Sequence, residues 1–469
     1  MARRLFPGWM ALLSAASVVL ALRPLGANDA PAGGPAATLW TFEADVTPPL
    51  GHRLLTGLRK PATAVDEPLL ARGFVLIPSG QPALVYCAVD WAEIRNDAYD
   101  RWRDALAEAA GTTRERVLVS ALHPHDAPLA DLTAQRLLEK AHVDGQIIDL
   151  EFHERAVQGA ADALRQGRER ARTVTHVGVG AAAASGLASN RRYLRPDGTP
   201  SYGRYSAGGS DEARTAPEGD IDPLVRSLSF WDGDTPLVVL STYATHPMSV
   251  YGTSRISPDF PGRARALRQV KTPQALQIYA AGASGNITVG KFNDGRIESR
   301  EVFAERLASA MEAAYDGRVM TPLERIAFRT LPLTLDPRAA TEFSAESLQA
   351  KLEDSGDPHG QELAALGLSW RRRCEPGQPI DVPAIDLGPA QILLLPAEIY
   401  VEYQLFAQAL RPDQSILTIG YGECGPGYIP VERAWDEGDE NLRGWCWVAP
   451  GQQPRIESLL RELLGAAAQ

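Results

Sequence analysis

Residues 116–128 read RVLVSALHPHDAP, and this stretch shows the pattern from which the rest of the chain can be interpreted. The segment RVLVSALH is rich in branched aliphatic residues, which predicts a strand that ends at His123. In extended chain, residues i and i+2 point to the same side, so His123 and His125 can face one cavity. Two imidazoles and the carboxylate of Asp126 therefore follow a strand directly, where functional groups of α/β proteins usually cluster.

The same order, a strand followed by polar residues, occurs three more times. Residues 224–247 contain two strands around a DGD turn, and the second strand leads to His246. The segment AQILLLPAE, residues 390–398, is an apolar strand that ends at Glu398. The strand SILTIG runs into a glycine-rich loop with further polar side chains, which are Tyr421, Glu423 and Tyr428. We therefore expect a site built from strand ends.

Helical periodicity alternates with these strands. The segments 94–111, 146–171 and 298–317 have the spacing of amphipathic helices, and the first ends at Gly111. The alternation predicts an α/β fold, in a single large domain whose mixed β-sheet core is flanked by helices. A further polar segment with helical spacing predicts a helical insertion at about residues 340–380.

The amino terminus predicts an exported protein, periplasmic or extracellular. A basic start, MARR, precedes an apolar run at residues 9–22, and small residues follow, so residues 1–27 fit a secretory signal peptide. The run is shorter than the roughly 20 residues that cross a bilayer, which favours cleavage over an uncleaved anchor. Residues 28–37 predict a flexible leader and residues 38–469 the folded domain.

Composition excludes some partners. The 469-residue chain has a net charge of −11, whereas nucleic acids are held by clustered lysine and arginine, so we expect no nucleic-acid partner. The four cysteines form no CxxC pair, which argues against a cysteine zinc ribbon. A bridge between Cys424 and Cys446 stays open at this point, and so does the oligomeric state.

The residue types at the strand ends suit a metal ion. Imidazole and carboxylate are common zinc ligands, and a catalytic zinc site typically combines three protein ligands with water. Two histidines and one carboxylate from separate strands would provide such a set. An H-x-H motif by itself is about as often a structural pair of polar residues, so the zinc prediction depends on the combination of strand ends.

Several segments, taken in order, resemble the catalytic domain of neutral, non-lysosomal ceramidases. They are SALHPHDAP (120–128), YATHPMSV (243–250), ISPDFPG (256–262), GASGNIT (282–288), LPAE (395–398) and GPGYIPVERAWDEG (425–438). The resemblance runs from about Val46 to Glu437. It implies an α/β zinc amidase that cleaves the N-acyl bond of ceramide. Full-length members of this family carry a C-terminal immunoglobulin-like domain, which we do not expect here.

The resemblance implies a Zn²⁺ cofactor and a set of zinc ligands. These ligands are His123, His246, Glu398 and Tyr428. His125 matches an acid/base or substrate-orienting group of the family. Arg191, or the backbone amides of residues 282–286, would stabilise the negative charge on the carbonyl oxygen during hydrolysis.

The resemblance also implies which residues contact the substrate. At some of the matching positions, this chain differs from the family. Asn190 and Arg191 match a family pair that reaches the substrate, and Asp259 lies in a matching backbone motif. The family's catalytic serine falls on Thr288, whose extra methyl group restricts its rotamers. Neighbouring Ser284 offers another hydroxyl. We therefore expect Thr288 to act in catalysis. We expect Asn190, Asp259 and Ser284 to bind the substrate.

Three functions stay open from the sequence. The first is a secreted zinc-dependent hydrolase that acts on a lipid or another N-acyl compound, with transient contact to a membrane surface. The second is a metal-binding relative with altered or lost catalysis, to which Thr288 and Asp126 point. The third is an exported sugar- or peptide-binding protein without a metal, for which Trp445 and Trp447 could form a stacking platform.

Overall fold

The computed structural model describes four stretches of the chain, residues 37–55, 61–207, 209–354 and 356–465. The signal peptide expected at residues 1–27 lies outside these stretches. The leader expected at residues 28–37 also lies outside them, except for its last residue, which begins the first strand.

The first sheet has five strands and ends in a parallel pair. In spatial order its strands are Val117–Ala121, Leu84–Val89, Leu70–Pro78, Ala37–Asp45 and Arg172–Val174. The first two strands run parallel, and the other neighbours are antiparallel. The strand that leads to His123 is buried along its whole length, as a parallel strand covered on both faces requires.

The second sheet repeats this arrangement. In spatial order its strands are Leu276–Ala281, Thr235–Tyr243, Leu224–Asp232, His176–Ala183 and Val319–Pro322. Again only the first two strands run parallel. The expected DGD turn joins the second and third of them, and Gly233 adopts φ 56° in it, where glycine has no steric penalty.

The third sheet has four strands. They are Ala327–Leu333, Ile380–Asp386, Ala390–Leu394 and Ser415–Ile419 in spatial order. The last two run parallel and the others antiparallel. All three sheets are therefore mixed, and each has one parallel pair at an edge.

The three sheets share one apolar core. The rings of Phe74, from the first sheet, and Phe230, from the second, have centroids 5.3 Å apart, and Ile392 of the third sheet belongs to the same buried cluster. Backbone hydrogen bonds join the strand ends, since the N–H of Ala121 donates to the carbonyl of Tyr421 at 2.9 Å. The sheets are thus fixed against one another at the ends of their parallel pairs.

Helices pack against the strands of the sheets. Their bounds are Asn96–Ala110, Leu132–Lys140, Leu150–Gly167, Asp211–Thr215, Asp259–Lys271, Glu298–Asp316, Ala345–Glu353, Pro358–Cys374, Val401–Leu410, Glu432–Asp436 and Gln453–Leu463. The first helix ends at Gly111, as expected, with φ 68°. The predicted α/β fold with mixed sheets flanked by helices is confirmed.

Short two-residue ladders complete the fold. The pairs are Glu93–Ile94 with Leu129–Ala130, Ser189–Asn190 with Ile287–Thr288, Tyr193–Leu194 with Pro200–Ser201, Ala64–Val65 with Arg255–Ile256, and Glu398–Ile399 with Tyr428–Ile429. Several of them carry predicted site residues, so they fix the loops that follow the long strands.

The segment expected to be a helical insertion contains the helices Ala345–Glu353 and Pro358–Cys374, and its status as an insertion stays a prediction. The expectation that this segment is polar is wrong for the second helix. Its Leu366 and Trp370 are buried in a cluster that includes residues of the third sheet. The polar character of the sequence comes from three consecutive arginines in the last turn, whereas the middle of the helix is apolar.

Two other features bear on the expectations from sequence. Cys424 and Cys446 are free thiols, as are the two remaining cysteines, so no disulfide joins them. Within the four described stretches, no helix is both long and apolar enough to cross a bilayer.

Candidate metal centre

The carboxyl ends of the three parallel pairs meet at one place. A polar side chain follows each of the six strands that form these pairs, namely Glu93, His123, His246, Ser284, Glu398 and Tyr421. All six side chains are buried. Parallel strands present their carboxyl ends at one edge of a sheet, so three such pairs gather groups from distant parts of the chain.

The turns after these strands are strained at the site. His123, Ala397 and Tyr421 have φ values of 70°, 52° and 55°, in the left-handed region that residues with a Cβ rarely adopt. Each such residue costs about 1–3 kcal/mol and persists only where the surroundings impose it. Here the strain turns the chain sharply, so the side chains of His123 and Glu398 point into a common space.

Two imidazoles converge on one carboxylate oxygen. The Nε2 atom of His246 lies 2.9 Å from Oε2 of Glu398, and the Nε2 atom of His123 lies 3.3 Å from the same oxygen. Donor atoms of His123, His125 and His246 also lie within 4.8 Å of one another, and those of Glu93, His123 and Glu398 form a second such group. These residues have the ligand types and the spacing of a metal centre.

Backbone carbonyls orient both histidine rings. Nδ1 of His123 donates to the carbonyl of Ala92 at 2.8 Å, and Nδ1 of His246 donates to that of Ile287 at 2.9 Å. With Nδ1 carrying the hydrogen, the Nε2 lone pair of each neutral ring points at Glu398. Two lone pairs that face a carboxylate need a cation between them, either a proton or a metal ion.

The pKa shifts agree with this geometry. Burial by itself raises the pKa of Glu398, but His123 and His246 hold it well below its usual value. Burial lowers the pKa of His123, yet Glu398 and Glu93 outweigh burial and raise it. For His246, burial and the charge of Arg191 lower the pKa to about 4. Glu398 and His123 thus each favour the charged form of the other, and a metal ion would supply the positive charge beside the carboxylate instead.

The site residues fit a zinc ion. Zinc bonds of about 2.0–2.1 Å to nitrogen and oxygen separate tetrahedral ligand atoms by about 3.3 Å. The two imidazole–carboxylate distances, 2.9 and 3.3 Å, are close to that value. The hydrogen bonds from Nδ1 to carbonyls are of the kind that orients metal-bound histidine. His123, His246 and Glu398 would therefore hold the ion.

Tyr428 and Arg191 complete this side of the site. Tyr428 is the register partner of Glu398 in their short parallel ladder. Nη1 of Arg191 donates to the Tyr428 hydroxyl at 2.7 Å, and Nη2 lies 3.5 Å from Nε2 of His246. Burial raises the pKa of Tyr428, although Arg191 opposes this. The structure thus brings Arg191 and Tyr428, the fourth expected ligand, to the same cluster as the other three, and the role of Tyr428 as a ligand stays a prediction.

His125 lies beside the cluster with neither ring nitrogen hydrogen-bonded to any described residue. Its ring centroid is 5.1 Å from that of His123 and 4.9 Å from that of Tyr251. Burial and the neighbouring histidines hold the pKa of His125 well below its usual value, so the ring is neutral. Asp126 accepts hydrogen bonds from the backbone of Gly252 and from Thr253 and so fixes the loop that carries Tyr251.

A cavity of about 330 Å³ opens next to these residues. Its lining includes His123, His125, Glu398 and Tyr428 together with residues from four other segments: Leu55, Tyr251, His359, Leu363, Asn441, Gly444 and Trp445. The histidine–carboxylate cluster is therefore accessible from the cavity, as a catalytic metal site must be.

Six predicted residues are absent from the lining of this cavity. Arg191 and His246 lie in the cluster described above, and the other four are Thr288, Ser284, Asn190 and Asp259. The Thr288 hydroxyl contacts the carbonyl of Tyr205 at 3.4 Å and the N–H of Gly290 at 3.2 Å. Ser284 bonds to the hydroxyl of Tyr421 at 2.8 Å, and that tyrosine ring stacks on His123 at 4.4 Å, so Ser284 joins the cluster indirectly.

The side chains of Asn190 and Asp259 bond mainly to neighbouring segments of the chain. Asn190 donates to the carbonyl of Asp220 at 2.8 Å and accepts from the N–H of Arg192. Asp259 accepts from the N–H of Ser249 at 2.9 Å at the start of its helix. The roles expected for Thr288, Ser284, Asn190 and Asp259 stay predictions.

Several residues of the site were not predicted from the sequence, among them Glu93, His359 and Leu363. The polar residue directly after the strand Leu84–Val89 is Asp90, whereas Glu93 begins the short strand Glu93–Ile94, so the strand-end pattern did not indicate Glu93. Burial raises its pKa to about 7. His359 and Leu363 lie on the helix Pro358–Cys374, and no signal in the sequence connects that helix with the histidines.

The strand ends approach so closely that a side chain at Gly285 has no room. The N–H of Gly285 donates to the carbonyl of Ile399 at 3.0 Å, and a Cβ at Gly285 would collide with the backbone oxygen of Glu398. We expect Gly285→Ala to lower the free energy of unfolding by about 3 kcal/mol, the upper end for overpacking. Urea denaturation measures this loss.

Gly159 provides the matched control. It lies exposed within the helix Leu150–Gly167, and a Cβ there meets no atom within 4 Å. Gly159→Ala should therefore stabilise the protein by about 0.5–1 kcal/mol, because alanine favours a helix more than glycine does. Equal unfolding midpoints for Gly285→Ala and the parent protein would contradict the close approach described here.

Comparison with known proteins identifies the fold. No protein-family model matches the sequence, and no curated protein matches it. Among solved structures, a neutral ceramidase from Pseudomonas aeruginosa is similar with a TM-score of 0.68 and 16% identity, over 92% of this chain and 74% of that one. A ceramidase complexed with C2 gives a TM-score of 0.66 and 15% identity, over 92% and 75%. The chain therefore has a neutral ceramidase-like fold.

Proposed function

We propose that the protein is a zinc-dependent hydrolase that cleaves the N-acyl (amide) bond of a lipid or a related substrate. The observation that carries the proposal is the convergence of two Nε2 atoms, from His123 and His246, on one oxygen of Glu398 beside an open cavity. The likeness of the fold to ceramidases supports the reaction class, since amide hydrolysis is the activity that their name implies.

A bound zinc ion would supply the acidification of a water molecule, toward a pKa of about 7, and the polarisation of the acyl carbonyl. The chain's own residues would do the rest. A ring nitrogen of His125 would accept the proton that water loses and deliver it to the departing amine nitrogen. The neutral, unpartnered ring of His125 suits this exchange, because it has a free site for a proton.

Arg191 would stabilise the charge that develops on the carbonyl oxygen. Its guanidinium is buried, and Nη2 lies 3.5 Å from Nε2 of His246, so its positive charge is directed at the reacting region. The hydrogen bond to Tyr428 fixes its orientation before substrate arrives. Such preorganised donors act strongly where water is excluded.

Metal analysis tests the proposal directly. The purified protein should contain about one zinc ion per chain, and His123→Ala should contain almost none, because it removes one of the few protein ligands that a catalytic zinc site has. His142→Ala, at an exposed histidine outside the cluster, should keep the metal content of the parent protein. A parent protein without stoichiometric metal would remove the basis of the proposal.

The place of action is proposed from the sequence. The basic start and the apolar run of residues 9–22 support export to the periplasm or the extracellular space. Transient contact with a membrane surface would bring a lipid substrate to the enzyme. Mass determination of the mature chain after secretion tests the export, since cleavage would remove about the first 27 residues.

A specific observation favours a second candidate, a metal-binding protein with altered or lost catalysis. The hydroxyl of Thr288 is directed at Tyr205 and Gly290, and no hydrogen bond links it to the described histidine cluster. If that hydroxyl is needed for amide hydrolysis, metal would bind without turnover. Zinc at full occupancy with no hydrolysis of any N-acyl substrate would favour this candidate.

A further inference from the structure

One wall of the cavity is apolar. Leu363 and His359 stand four residues apart on the helix Pro358–Cys374, so they share one face of it, and both line the cavity. Leu55 and the indole of Trp445 continue the surface from two other segments. We refer to Leu55, Leu363 and Trp445 as the apolar wall.

Trp445 is held rigidly in this wall. Its indole N–H donates to Oε1 of Glu93 at 3.1 Å, and the guanidinium of Arg95 lies 5.4 Å from its ring. Arg95 in turn donates to the other oxygen of Glu93 at 2.8 Å. Trp447 packs edge-on against Trp445 with ring centroids 5.2 Å apart. A wall fixed in this way loses little conformational entropy when it binds an apolar group.

The remaining lining is mainly polar and includes expected metal ligands. His125, Glu398, Tyr428 and Asn441 form that side. None of the exposed large apolar side chains in the described stretches belongs to the cavity lining. The described cavity thus offers one apolar surface and one polar surface, which suits a substrate with one hydrocarbon chain and a small polar group.

We infer that the substrate is a single-chain N-acyl compound, with its acyl chain on the apolar wall and a short polar amine on the other side, rather than a lipid with two long chains. This inference rests on the proposed function and specifies its substrate. The amide bond would then lie between the wall and the cluster of His123 and Glu398. Glu93 is a positioning residue, because it touches the wall only through Trp445.

Binding of fatty acids of increasing length tests the wall without turnover. Butanoate, hexanoate, octanoate and decanoate share one carboxylate, so its contribution cancels when their affinities are compared by titration calorimetry. In the parent protein the Kd should fall by up to about fourfold for each added methylene until the wall is covered. This fold change in Kd per methylene is the slope of the series. In Trp445→Ala and Leu363→Ala it should be smaller than about twofold.

Two variants check the specificity of this result. Trp435 is partly exposed and lies outside the cavity lining, so Trp435→Ala should keep the slope of the parent protein. Glu93→Gln places an amide N–H₂ group against either the indole N–H of Trp445 or the guanidinium of Arg95. It should weaken the binding of decanoate about tenfold more than that of butanoate. In a Trp445→Phe background, which lacks the indole N–H, Glu93→Gln should cause no further loss.

Hydrolysis separates this inference from the proposed function. N-decanoyl-2-aminoethanol should be cleaved with a higher kcat/KM than N-decanoylsphingosine, and the opposite order would overturn the single-chain inference. A flat chain-length series, or a slope unchanged in Trp445→Ala, would also overturn it. If neither amide is cleaved but the fatty-acid slope depends on Trp445, the wall stands and the proposed hydrolase function fails.

Discussion

The substitution Glu398→Gln should lower kcat/KM for N-acyl hydrolysis by about a thousandfold or more, which corresponds to about 4 kcal/mol of transition-state stabilisation. The reason is that one oxygen of Glu398 meets the Nε2 atoms of both His123 and His246. An amide in its place keeps the shape of the side chain but removes the negative charge that a divalent ion requires. Metal content and steady-state kinetics, measured on the same preparation, check this result.

Glu402→Gln is the matched control for that variant. Glu402 lies on the helix Val401–Leu410, where it accepts a hydrogen bond from Asn286 at 2.8 Å and pairs with Arg433, outside the cluster. We expect this change to leave metal content at the parent level. A Glu398→Gln protein that retains zinc and full activity would show that the carboxylate has no role as a ligand.

His125→Gln should lower kcat by about 10²–10⁴-fold, the range for a lost general acid/base, while zinc content and KM stay near those of the parent protein. The expectation follows from the two ring nitrogens, which have no hydrogen-bond partner among the described residues, and from the position of His125 in the cavity lining. The separate measurement of metal distinguishes this variant from Glu398→Gln, which loses both metal and activity.

His153→Gln controls for a general effect of losing a buried imidazole. His153 is buried between Trp91 and Trp102, away from the cavity. Its replacement should affect stability but leave kcat of the folded enzyme near the parent value. Loss of zinc in His125→Gln would refute the acid/base role, because it would make His125 a ligand, as its proximity to His123 and His246 also allows.

The sequence was informative where the signal is local. A strand rich in branched aliphatic residues is visible in a few residues, and so is the polar residue after it, which is why His123, His246 and Glu398 could be placed at strand ends. The short hairpin around Gly233 and the helix end at Gly111 were visible for the same reason. These features depend on neighbours in the chain rather than on tertiary packing.

The parts that could not be predicted depend on tertiary contacts. The packing of three sheets with their parallel pairs together is not encoded in any one segment, and neither is the position of Leu363 in the cavity. The resemblance to ceramidases matches motifs but carries no information on side-chain direction. The hydroxyl of Thr288 and the amide of Asn190 are the examples, since both bond within neighbouring loops.

The six strand ends also set the order in which the protein can mature. Glu93, His123, His246, Ser284, Glu398 and Tyr421 are far apart along the chain, so the cluster closes only after all three sheets have docked. Contacts between distant parts of a chain form slowly, because the long segments between them must lose conformational entropy before the contacts stabilise the fold. If the ion binds as proposed, a partly synthesised chain that ends before Glu398 would lack one of its ligands. Metal uptake would then follow the docking of the sheets and would stabilise the folded state.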